Sequence, residues 1–130
     1  MGSWDAGAFD NDDAADWSGE LDEARNPARF ARETLRTAVR TTGYLEAPAG
    51  SAAVAAAAWF ASAHDAAPPS AYAPSTRPPR LTRRHRRLAT AALQRVRGTD
   101  SELRDLWEES GELVAFAGMV DELLEALATS

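Results

Sequence analysis

The chain has 130 residues, 20 acidic and 14 basic side chains, a net charge of −6 and no cysteine. The absence of cysteine excludes a disulfide framework, a thiolate zinc site and a cysteine nucleophile. Every basic side chain apart from two histidines is arginine, so a lysine Schiff base and a standard P-loop are excluded too, and the negative balance argues against a general affinity for nucleic acid.

At this length one domain is expected, burying roughly two-thirds of its unfolded surface without a staple. No stretch alternates with a period of two for long enough to make a strand. The pattern predicts an all-α bundle of about five helices, with a structured N-terminal arm and one long Pro-rich loop.

Residues 1–11 are the arm. Gly7 permits a tight turn. Trp4 and Phe9 are too apolar to leave in water and are expected to fold back onto the core. Asp10 and Asn11 suit turn and cap positions. The first helix is expected from about Asp12 to Ala24, capped by Asn11 or Asp12. Trp17, Leu21 and Ala24 face inward, and Asp13, Asp16, Glu20 and Glu23 line the opposite face.

The second helix opens with Asn26-Pro27, a cap followed by proline at the first helical position. It runs to about Thr41, with Gly43 as its stop. Arg25, Arg29, Arg32, Arg36 and Arg40 form one stripe along it. This stripe is read as a solvated face, paired with the acidic face of the first helix; the alternative is a grip on an acidic partner or phosphates.

The third helix, about Ala49 to His64, is apolar nearly all round and belongs in the middle of the bundle. At 12 residues, its run Ala52 to Ala63 is too short to span a bilayer, which takes about 20. With an acidic N-terminus lacking a signal-peptide core, a cytoplasmic protein without a membrane role is expected. Asp65 to Arg80 carries five prolines and must be a loop.

The fourth helix is expected from about Leu81 to Arg97, with Leu81, Leu88, Ala92 and Val96 inward and Gly98 as its end. Thr99-Asp100-Ser101-Glu102 has the form of a capping box for a short helix, Ser101 to Glu109. Leu103, Leu106 and Trp107 are its buried stripe. The last helix, about Glu112 to Ala128, has Leu113, Phe116, Ala117, Val120, Leu124 and Leu127 at helical spacing. It is either separate from the short helix or continuous with it through a kink at Ser110-Gly111.

Three constellations invite a chemical reading. Asp10, Asp12, Asp13 and Asp16 fail as a calcium loop, because Ala14 and Ala15 stand where an acid and a glycine are needed. Asp12, Asp13 and Asp16 do have the spacing to share Mg²⁺, and a divalent-cation enzyme or sensor built on these four is the alternative function. It requires further acids, such as Glu20 or Glu46, to converge on them. The preferred reading is cap and arm chemistry, since a helix dipole favours acids at its N-terminus by about 0.3–1 kcal/mol each. Arg77 to Arg87 holds six arginines, His85 and no acid. Used as the first half of a helix-turn-helix, it would push the acidic SELRDLWEES helix against phosphates, so pairing with the acidic C-terminal third is expected instead. Neither histidine has metal-motif spacing, and His85 among arginines should stay neutral. No serine sits in a G-x-S-x-G elbow. No catalytic residue and no cofactor is expected.

The opening, with Gly2, Trp4, Gly7, Phe9, Asp10, Asn11, Asp12, Ala14 and Asp16 in place, resembles the start of a family of small bacterial proteins, domain of unknown function 4259. Asp5 stands where that family usually has glycine. Tyr-Leu-Glu-Ala-Pro (Tyr44 to Pro48) and Ser-Glu-Leu-Arg-Asp-Leu-Trp-Glu-Glu-Ser (Ser101 to Ser110) are similar to it as well. The resemblance implies an identity and no known activity. The structural motif is then Trp4, Gly7, Phe9, Asp10, Asn11, Asp12, Asp16 and Trp17. A non-enzymatic, regulatory or immunity-type module that binds another protein is the expected function.

Overall fold

The organising element is a helix with no polar face. In a computed structural model, which describes residues 12–64 and 73–128, helix α3 (Ala47–Ala61) buries Gly50, Ser51 and every residue from Ala53 to Ala61. Its alanines let neighbours approach closely, and it packs against all five other helices. These are α1 (Asp12–Glu23), α2 (Pro27–Arg40), α4 (Arg83–Arg97), α5 (Glu102–Glu109) and α6 (Leu113–Ala128). The described residues form an all-helical bundle without strands. The arm residues Trp4, Gly7, Phe9, Asp10 and Asn11 lie outside them.

Each helix brings one apolar stripe to α3. From α1 come Ala14, Trp17, Ser18 and Leu21. Trp17 stacks on Phe30 of α2 at 5.8 Å and donates its indole N–H to Thr34 Oγ1 at 2.8 Å, so its one polar atom is satisfied in the core. Asn26 caps α2 by accepting from the Arg29 amide at 3.1 Å, with Pro27 in the first turn as expected.

α3 begins two residues earlier than expected, because Pro48 fits the first turn of a helix. Its end is also tighter, with Ser62–His64 forming a 3-10 turn. α4 starts at Arg83 with Thr82 as cap, accepting from the His85 amide at 3.2 Å. Leu81 precedes the helix yet is buried, and Leu88, expected inward, is only half-buried.

The second half of the Pro-rich loop is pinned. Both oxygens of Asp22 on α1 accept from it: Ser75 N at 3.0 Å, Thr76 N at 2.9 Å and the Thr76 hydroxyl at 2.7 Å. Trp59 donates to the Thr76 carbonyl at 2.8 Å. Burial works to raise the Asp22 carboxyl, but the three donors outweigh it and hold it below its ordinary value.

The short and last helices are separate. Gly111 at φ +80° reverses the chain between them, and Glu112 N closes the turn onto the Trp107 carbonyl at 2.9 Å. On α6, Phe116, Val120 and Leu127 are buried as expected, joined by Met119, Leu123 and Ala126.

Candidate functional site: two grooves of opposite charge

The two inner segments that carry the family resemblance are clasped together. Leu45 and Ser101 form an isolated parallel bridge, with Leu45 N donating to the Asp100 carbonyl and Glu102 N to the Leu45 carbonyl, both at 2.8 Å. The expected capping box over Thr99 to Glu102 does not form, because the cap is Ser101 and Glu102 is the first residue of the helix. Ser101 Oγ caps α5, accepting from Arg104 N at 3.4 Å, while the Glu102 carboxylate reaches across to accept from Ala47 N at 2.7 Å. Glu102 thus caps α3, whose own flanking residue Glu46 makes no side-chain cap. Arg95 completes the clasp by donating to the carbonyls of Gly43, Thr99 and Asp100. The Tyr44 hydroxyl donates to Asp105 Oδ2 at 2.8 Å. That bond, followed by burial and the nearby carboxylates, pushes the Tyr44 phenol up to about 12.

Beside the clasp opens a groove of about 360 Å³, lined by Leu103, Leu106 and Trp107 of α5 with Ala47 and Ser51 of α3. Asp12, Asp13, Ser110 and Glu112 also border it. All three resemblance-bearing stretches therefore meet at one place: the end of the opening motif, the first turn of α3, and α5. Leu106, expected in the core, is 47% exposed. The eight residues of α5 pack through Leu103 and Trp107, and Leu106 is left at the groove.

Of the candidate cation ligands, Asp12, Asp13 and Asp16 are exposed on α1, and Asp10 lies outside the described residues. Among the described residues no group of three or more His, Asp or Glu side chains is placed to hold a metal ion.

The second groove, about 570 Å³, runs between α2 and α4. Arg36, Arg83, Arg84 and Arg87 line it, with Leu88 and Ala91, and no acid among the described residues does. Sequence reasoning singled out both arginine runs, taking the α2 stripe as a solvated face able to pair with α1 and expecting Arg77 to Arg87 to pair with the acidic C-terminal third. Among the described residues no ion pair joins α1 to α2, and none involves Arg83, Arg84 or Arg87. Arg36 pairs with Glu33 of its own helix. Among the described residues, the ion pair between an arginine and the C-terminal acids is that of Arg97 with Asp121 at 2.7 Å, and Arg97 lies outside both runs.

His85 lies under this basic face. It is 8% exposed, stacked on Phe60 at 4.5 Å, with Nε2 3.5 Å from Arg32 Nη1. Burial, then the charges of Arg32 and Arg84, push its pKa down against the Arg80 carbonyl, so the ring is neutral at neutral pH, as expected.

The fold and surface define a small all-helical protein with one acid-rimmed and one arginine-rimmed groove, and no helix of its described residues is long and apolar enough to cross a membrane. The chain matches the family described as Domain of unknown function (DUF4259) over residues 2–118, and it belongs to that family. No curated protein and no solved structure matches it.

Proposed function

We propose that the chain is a non-enzymatic protein-binding module, and that the α2–α4 groove receives an acidic, partly apolar segment of its partner. One observation carries this reading: Arg36, Arg83, Arg84 and Arg87 surround a groove with Leu88 and Ala91 in its lining, and among the described residues no acid lines it and Arg36 alone of the four has an ion-pair partner, Glu33 of its own helix. Arginine stems provide carbon surface while their planar heads bind carboxylates in pairs. A partner helix with carboxylates flanking a leucine matches both properties, and charge complementarity speeds its encounter. A bare phosphate backbone would use the charge and leave the leucine without a counterpart.

The test is fluorescence anisotropy with a labelled helical peptide of glutamates and leucines at i, i+4 spacing. Saturable binding is expected, weakening as salt rises. Polyglutamate of equal length should bind more weakly, and Arg83→Glu with Arg87→Glu should abolish binding without changing the melting temperature. Binding that ignores the charge reversal, or a preference for an oligo-dT strand over the peptide, would overturn the reading.

A further inference from the structure

The chain reverses between α5 and α6 at Gly111, and every residue from Glu108 to Glu112 is exposed. The turn is a corner that projects from the bundle. Glu108, Glu109 and Glu112 stand on it, and no basic residue lies between Asp105 and Val114. Among the described residues none of these three carboxylates joins an ion pair. Two large apolar side chains bracket the corner: Leu106 is 47% exposed and Val114 86%. Val114 is almost uncovered by its own fold, so it can leave water only against a further surface.

We propose that this corner docks into the α2–α4 groove of a second copy of the chain. The inference rests on the reading of that groove as a site for an acidic, partly apolar segment, and it names the segment. The two surfaces match in kind. The groove offers Arg83, Arg84 and Arg87, without ion pairs among the described residues, beside Leu88 and Ala91. The corner offers carboxylates beside a leucine and a valine. Guanidinium heads bind the carboxylates in a planar fork, while arginine stems and Leu88 cover Leu106 and Val114. The chain carries a net charge of −6, so two copies repel as wholes. What joins them is the local pairing of unlike surfaces. The contact is therefore heterologous: each copy has one corner to give and one groove to fill.

The experiment is sedimentation equilibrium of the full chain at low salt, up to millimolar concentration. The average mass should rise above that of one chain with concentration, and fall back as salt is added. Two variants separate the surfaces, all at exposed positions: a corner variant with Glu108→Gln, Glu109→Gln and Val114→Gln, and a groove variant with Arg83→Glu and Arg87→Glu. Each alone should stay monomeric with unchanged helical circular dichroism. Mixed in equal amounts they should form a two-chain species and nothing larger, because one retains the groove and the other the corner. Either variant associating like the wild type, or a mixture that stays monomeric, would overturn the proposal. A wild-type chain that binds the acidic peptide of the preceding test yet stays monomeric would sink this inference and leave the reading of the groove intact. One that does neither would sink both.

Discussion

The groove beside α5 and the groove between α2 and α4 both include apolar side chains in their lining, but their rims carry opposite charge. The first is bordered by Asp12, Asp13 and Glu112, and stands on a clasp of backbone and side-chain hydrogen bonds. The second is bordered by arginines, none of which is paired with another helix among the described residues. The difference shows where this chain spends its polar groups. Near α5 they satisfy exposed loop carbonyls and the part-buried start of α3, and leaving a buried group unsatisfied costs about 1–3 kcal/mol. On α2 and α4 they stay in water, because an exposed ion pair contributes only about 0–1 kcal/mol and gives little reason for helices to swing together. Charges unused by folding are the ones the proposed partner would meet.

The comparison can be broken most directly at the two linings. Leu103 is buried under the α5 groove, whereas Leu88 is half-buried at the arginine groove. Leu103→Ala should cost about 2–4 kcal/mol, and Leu88→Ala less than half of that, measured by urea unfolding. Equal losses would mean that the arginine groove is as much a part of the core as the clasp. Glu102→Ala comes next. It removes the cap on Ala47 and should cost about 1–2 kcal/mol, whereas Arg83→Glu should stay within about 0.5 kcal/mol.

The two regions should also respond at opposite ends of the pH scale, through His85 on α4 and Tyr44 at the clasp. His85 has its folded pKa pushed below the ordinary 6.5, so the fold prefers the neutral ring. That stability is fully present above the unfolded value and is lost as pH falls through 6.5 towards the folded value. Melting temperature should drop over that window, and His85→Gln should flatten the drop. Tyr44 behaves conversely. Its phenol is raised from 10.0 to about 12, so its contribution is present below 10 and is lost as pH climbs to 12. Tyr44 is exposed, so the effect on stability is the smallest of the set. It is better seen as an absorbance step near 12 that is missing in Tyr44→Phe.

Much of the fold was legible because helix signals are local. The Asn26-Pro27 start, the Gly111 break and the apolar stripe of α6 each lie within a few residues of the feature they cause. Leu106 and Leu88 were misjudged because periodicity identifies an apolar stripe without saying how much of it a neighbour covers. Neither groove was legible as a site. Glu102 had the spacing of a local capping-box residue, and nothing in the sequence pointed from it to Ala47, 55 positions away. The arginines of α2 and α4 were visible as two separate runs, without any sign that they face one groove.

By itself, the sequence determined that the protein is built of helices, that an alanine-rich helix lies at its centre, and that it belongs with proteins sharing its opening motif. Backbone hydrogen bonding and helical periodicity act over three or four residues, and that range is enough for the first two conclusions, while the third rests on the motif residues themselves. Only the tertiary structure decided which carboxylate caps which helix, which arginines go unpaired, and that three separated stretches enclose one groove. Those outcomes depend on contacts between residues far apart in the chain, which form only where packing against α3 brings them together.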